Sequence, residues 1–288
     1  MTALEVLLSG LIDYAGLYPP ASLDMRTAVH NYLSYRRSKY ATALGRYLVD
    51  IHRLAELRAV AGDSASHLRL SVLSAAPTDG KILTALLQDD SSIDTLEIKT
   101  ESKINPSSEI AVIERCIAAG LTTYVEVSFA SNASETIAAI AAVGARVKLR
   151  MGGIVADAFP SSQTIAVMLK ALADRRMPFK ATAGLHHPIR SHHSFTNAPD
   201  SPAGLMHGFL NLACAAASLY FGGEIKQAIC ILDEQDPAAW TMAPDAITWR
   251  NLRWSAEQLR LLRENFLTSF GSCSFTDPIH DLETLGWL

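Results

Sequence analysis

Much is excluded by what this chain lacks. Its 288 residues include four cysteines, Cys116, Cys214, Cys230 and Cys273, set far apart and without a CxxC pair. That spacing offers no zinc-ribbon or dithiol motif and predicts reduced, mostly buried thiols in a cytoplasmic protein. No GxGxxG or GxxxxGK follows a strand-like run, and there is no HExxH or HxH, so no cofactor is expected and no metal motif is present. The net charge is −4, with no run of like charge, which argues against a nucleic-acid partner. The opening residues MTALEVLLSG contain an acid and no early lysine or arginine, unlike the basic start of a signal peptide. The most apolar run, 203–221, is near membrane-spanning length. His207 and Asn211 interrupt it and Pro202 and Gly222 bound it, so it is expected as a buried helix rather than a membrane span. The same helix is a candidate interface for a homo-oligomer.

What is present is a full apolar complement, 49% hydrophobic against 19% charged, which fits a globular chain. A helix is expected over 2–11. LIDYAGLY then runs into Pro19 and Pro20, which end a strand and open a loop. Asp24 is placed to cap a helix over roughly 25–38. From there strand-like runs recur roughly every 22 to 32 residues, the length of one βα unit. They are GRYLVDI (45–51), LRLSVLS (68–74), DTLEIKT (94–100), TYVEVSF (123–129), RVKLRMG (146–152) and PFKATAG (178–184). Helix-type segments separate them, among them 79–90, many opening at Ser, Thr, Asp or Asn and ending at Gly.

Alternating strands and helices imply a parallel sheet with right-handed crossovers. LIDYAGLY as the first strand and AITWRNL (246–252) as the eighth make eight units. The expectation is α/β: a single-domain (β/α)8 TIM-like barrel over 1–288, with a C-terminal cap from about 270 to 288. In that cap Trp287 and Leu288 are expected to cover apolar surface. A doubly wound open sheet is the other arrangement the pattern allows.

Side chains alternate along a strand, so one parity faces the helices and the other the barrel interior. Val125 and Val127 oppose Tyr124, Glu126 and Ser128; Val147 and Leu149 oppose Lys148 and Arg150; Phe179 and Ala181 oppose Lys180 and Thr182. The interior parity therefore carries Glu97, Lys99, Glu126, Lys148, Arg150, Lys180 and, on the eighth strand, Arg250. Barrel interiors are ordinarily branched aliphatics, and charges are rarely buried unpaired. The ring reads as a site, with a buried ion-pair network as the structural alternative. Cations outnumber carboxylates in it, which points to a small anionic metabolite carrying phosphate or carboxylate.

Lys148 and Lys180 on neighbouring strands form a pair in which one cation lowers the pKa of the other, making an amine nucleophile toward carbonyls, with Glu126 moving protons. VKLRMGG followed one βα unit later by FKATAG is similar to the paired lysine strands of the deoxyribose-phosphate aldolase type of class I aldolase. The resemblance spans about 40 residues. It implies that Lys148 is the Schiff-base lysine and Lys180 the group that lowers its pKa. Leu149, Arg150 and Met151 replace that family's small hydroxyl residues, and no phosphate-binding GGS follows the expected eighth strand.

After the seventh strand come His186, His187, His192 and His193. His186, His187 and Arg190 sit closest to the strand end and are expected as substrate contacts, with one histidine as an acid or base near neutral pH. Glu126 or Asp50 completing a metal site with this loop is the ground for another reading, a metal-assisted hydrolase or isomerase. Gly152 and Gly153 let backbone N–H groups approach an anion, or simply make a tight turn. Thr182 joins the substrate contacts. The expectation is a lyase of the aldolase type working through an imine-forming Lys148 or Lys180; a non-catalytic binding barrel is the remaining alternative.

Overall fold

The computed structural model describes residues 1–74, 92–99, 108–127, 129 and 133–288. Eight parallel strands close into a barrel: β1 (Ile12–Tyr14), β2 (Leu44–Asp50), β3 (Leu70–Ser74), β4 (Ile93–Ile98), β5 (Thr122–Val127), β6 (Arg146–Arg150), β7 (Phe179–Thr182) and the last barrel strand, Leu267–Ser272. This last strand lies between β7 and β1 and closes the ring. The expected helix over 79–90, Thr100 of the fourth strand-like run and Ser128 of the fifth lie outside the described residues.

Local chemistry accounts for the element ends. Thr2 and Glu5 form a capping box on the first helix (Ala3–Leu8), which is shorter than the expected 2–11. Asp24 accepts the N–H of Thr27 and caps Met25–Tyr35, while Ser161 caps Ser162–Asp174. The valines and leucines of β5 and β6 that were expected outside the barrel are buried under the helices: Val125, Val147 and Leu149 are fully enclosed.

The eighth strand is a correction. Residues 246–249 do form a strand, but it is the middle one of an antiparallel sheet outside the barrel, between Trp240–Ala243 and Leu252–Ser255. Here the alternation reflects a small meander packed beside the first helix, where the Ala3 N–H reaches Pro244 O at 2.8 Å. The barrel strand is LTSFGS, which follows directly on the helix Ala256–Asn265. That helix stops at Asn265, and no glycine or proline marks the change. The C-terminal cap is accordingly shorter than expected: residues 270–272 belong to the barrel, and the cap is the helix Thr276–Thr284 with its tail. Trp287 packs on the core, whereas Leu288 is exposed.

The apolar run at 203–221 also divides. Its first four residues pair with Ser191–Ser194 in a two-stranded hairpin, and the rest forms the helix Phe209–Tyr220, buried from Phe209 to Leu219. Asn211 is tolerated there because it donates to Ile231 O and Glu234 O and accepts the Arg190 N–H. Among the described residues no helix is long and apolar enough to cross a membrane.

Candidate active site

Parallel register sets Glu126 beside Lys148 and Lys148 beside Lys180 across β5, β6 and β7. Equal parity then turns all three inward. Lys148 is 3% exposed, Lys180 and Glu97 1% each. Lys180 Nζ donates to Asp13 Oδ2 at 2.7 Å and to Glu97 Oε1. Lys148 Nζ lies 2.9 Å from Glu97 Oε2 and 3.1 Å from Glu126 Oε2. Arg150 Nε donates to Glu126 Oε1 at 2.9 Å. Three carboxylates (Asp13, Glu97, Glu126) thus meet three cations (Lys148, Lys180, Arg150) in one chain. The expected excess of positive charge is absent from this chain.

Asp13 was missed in the sequence, although a carboxylate inside IDY carries the parity signal that marked Glu97. Its Oδ1 accepts the Arg46 N–H at 2.6 Å and its Oδ2 the Ser269 hydroxyl at 2.6 Å. Ser71 adds a hydrogen bond to Glu97 Oε1 at 2.6 Å. Burial alone would raise the Glu97 carboxyl; the charges of Lys148 and Lys180 override it and hold the group well below the carboxylate range. Glu126 is lowered the same way by Lys148 and Arg150. For Lys180, burial favours the neutral amine, but Asp13 and Glu97 win and push it above the usual lysine range.

Over this chain, at the C-terminal ends of the strands where barrels hold their sites, lies a cavity of about 290 Å³. Lys148 forms part of its floor, with Arg150, Gly153, Thr182, His186 and Tyr18 around it. Lys180 does not line it. Tyr18, on the loop after β1, places a buried hydroxyl here that has no hydrogen-bond partner among the described residues. Burial first, then the carboxylates of Asp50 and Glu97, push this phenol well above its ordinary value, so it stays a donor.

Other expected residues lie elsewhere. Arg250 sits in the turn after the middle meander strand, outside the barrel, paired with Glu234 at 2.6 Å. Its place in the ring fell with the eighth-strand assignment. Lys99, one residue past β4, is exposed and is not among the cavity residues. Arg190 points to His207 Nδ1 at 2.9 Å, again away from the cavity. Gly152 answers to packing: a Cβ there would meet the Phe159 ring at 2.5 Å.

The histidines divide their duties. His186 takes part in the cavity wall, its Nδ1 3.1 Å from the Ser272 hydroxyl. Burial, then His187, lowers it to about 4, so it is neutral near pH 7. His187 Nδ1 meets Asp281 Oδ2 at 2.5 Å, and its ring stacks on His193 at 3.4 Å. His192, on the hairpin, is exposed. Among the described residues no three His, Cys, Asp or Glu side chains converge as metal ligands. All four cysteines are free; Cys116 and Cys214 are buried, Cys230 is exposed, and Cys273 borders the cavity.

Together the geometry defines a (β/α)8 barrel with a charged, paired interior and one amine at the floor of its mouth. No family model and no curated protein sequence matches this chain. Among solved structures it is similar to a nitroalkane oxidase from Streptomyces ansochromogenes, with 16% identity and a TM-score of 0.37. The match covers 65% of this chain and 62% of that one, so the chain spans about three fifths of that structure's length.

Proposed function

We propose that this chain is a lyase of the aldolase kind, acting through an imine on Lys148. The substrate is a small metabolite with a carbonyl and an anionic group. One observation carries the reading: of the two barrel lysines, Lys148 lines the mouth cavity, whereas Lys180 is sealed between Asp13 and Glu97. Lys180 is therefore the fixed cation and Lys148 the amine within reach.

Imine formation requires Lys148 as a free amine. A proton leaves Nζ, and the Glu126 carboxylate, 3.1 Å away, receives it. The amine adds to the carbonyl carbon and its proton passes to the oxygen; the resulting hydroxyl takes back the proton held by Glu126, the C–O bond breaks, water departs and the C=N bond of a protonated imine forms. Tyr18, a protonated phenol whose donor is unpaired among the described residues, is suited to bind the substrate oxygen during this step. The anionic preference rests on Arg150, whose side chain is 47% exposed at the rim.

The test is chemical trapping. Incubation with small aldehydes and 2-keto acids, then borohydride, is expected to add the reduced mass of one probe to the peptide holding Lys148. Absence of that adduct across the panel would overturn the imine reading and favour a non-catalytic binding barrel.

A further inference from the structure

A second cavity, of about 510 Å³, adjoins the first and shares Pro20, His186 and Cys273 with it. Its volume falls within the range of small-molecule sites, about 300–1,000 Å³. The lysine chemistry uses none of its remaining walls.

Those walls have a definite chemical character. One side presents Asn31 and the edge-to-face pair Tyr14 and Tyr35, with ring centroids 5.4 Å apart. The other side is the hairpin, with His193, Thr196 and Asn197. Among the described lining residues there is no lysine or arginine, and Asp277 is the one carboxylate. His193 is lowered to about 4, by burial and then by His187, so it too is uncharged near pH 7. The cavity therefore offers carboxamides, hydroxyls, neutral imidazoles and ring faces. His187 lines the cavity too, with its Nδ1 already engaged by Asp281 at 2.5 Å, so a phosphate there would meet Asp277 with no lysine or arginine to pair with, a costly arrangement. A neutral polyol would find donors and acceptors on both walls and ring faces for its C–H surface.

We infer that this adjoining cavity is the subsite for an uncharged, polyhydroxylated tail of the substrate, whose carbonyl end passes His186 and Cys273 to reach Lys148. The inference rests on the Lys148 reading and deepens it. The substrate class is a keto acid with its carboxylate toward Arg150 and a hydroxylated chain, unphosphorylated at the far end, in the second cavity.

Three probes test this: pyruvate, 2-keto-3-deoxygluconate, and the same sugar acid phosphorylated at its terminal hydroxyl. The reading is the concentration giving half-maximal borohydride-trapped adduct on Lys148. The unphosphorylated sugar acid is expected to need at least tenfold less than pyruvate, and the phosphorylated one to lose that advantage. Ala21→Trp, which fills the second cavity from its loop side, should abolish the advantage and leave pyruvate trapping unchanged. Thr196→Trp does the same from the hairpin side, and thermal melting checks that each variant folds. Equal half-saturation for pyruvate and the sugar acid in the unaltered protein would overturn the subsite. Erythritol, which has no carbonyl, tests the subsite apart from the lysine. Saturation-transfer NMR should detect its contact with the unaltered protein and lose it in Ala21→Trp. Erythritol contact without any adduct overturns the lysine reading alone; no erythritol contact overturns the subsite.

Discussion

Lys148 and Lys180 stand opposite each other on neighbouring parallel strands and share one carboxylate, each taking a different oxygen of Glu97. The two lysines are nonetheless unequal. Lys180 continues inward to Asp13, while Lys148 continues outward to Glu126 and the mouth cavity. One lysine closes a buried network; the other, itself buried, borders the mouth cavity.

Substitution should separate these duties. Lys180→Met leaves Asp13 and Glu97 buried without their shared cation, which costs about 3–5 kcal/mol and lowers Tm by on the order of 10 °C. After Lys148→Met, Glu97 keeps Lys180 and Ser71, and Glu126 keeps Arg150. The expected loss is about 1–2 kcal/mol, together with all adduct formation. Urea denaturation of both variants checks the order; a Lys148→Met protein less stable than Lys180→Met would contradict it.

Tyr18 makes an opposite trade. Its hydroxyl is buried without a partner among the described residues, a state that costs about 1–3 kcal/mol. Tyr18→Phe should therefore raise Tm by about 2–4 °C and slow adduct formation at Lys148 by tenfold or more. A stability gain with an unchanged trapping rate would remove Tyr18 from the chemistry. A stability loss would mean that the hydroxyl has a partner in the protein.

The barrel was legible in the sequence because its signals were local: six strand-like runs, each with one apolar parity, and caps such as Asp24. The charged interior was legible for the same reason, since Glu97, Lys148 and Lys180 break an otherwise aliphatic alternation. Asp13 was equally visible but sits in a strand of three residues, too short to display a pattern. The eighth strand was hidden because LTSFGS follows a helix without punctuation, while AITWRNL displays a better strand pattern and uses it in a different sheet. Charge balance then went astray with Arg250. The second cavity had no sequence signal: Ala21, Asn31, the 193–197 hairpin and Asp277 are brought together only by closure of the barrel.

Acid should destabilise the protein in two windows. His186, His193 and His207 are each held at about 4, below the unfolded value of about 6.5. The unfolded chain binds those protons first, so stability falls as pH drops from about 6.5 toward 4. His207 is lowered by burial first and by the Arg190 guanidinium 2.9 Å from its Nδ1, which together outweigh the Pro160 O contact at 2.7 Å from Nε2 that favours the charged ring. This one residue accounts for roughly 3 kcal/mol by pH 4. Glu97 and Glu126 are depressed, so their contribution is present above the unfolded value of about 4.3 and lost as pH falls below it. Melting temperature against pH should be level between about 7 and 8 and decline in two stages below that. His207→Gln should flatten the first stage; an unaltered slope would contradict the assignment.

The narrowest test of the network is a residue with no side chain. Gly45, on β2, lies against Asp13 so closely that a Cβ would come within 2.2 Å of Oδ1 and 3.1 Å of Gly10 O. Nothing in the local backbone demands glycine there; the carboxylate does. Asp13 cannot withdraw, because Lys180, Ser269 and the Arg46 N–H hold it from three directions. Gly45→Ala should therefore cost about 3 kcal/mol, at the upper end of overpacking, through displacement of Asp13 rather than lost apolar contact. The pair Gly45→Ala with Asp13→Ala discriminates. If the collision is with the carboxylate, adding Gly45→Ala to Asp13→Ala costs little further, and a double-mutant cycle in urea gives a coupling of at least about 1 kcal/mol. Additive losses would place the strain at Gly10 and detach Gly45 from the charged chain.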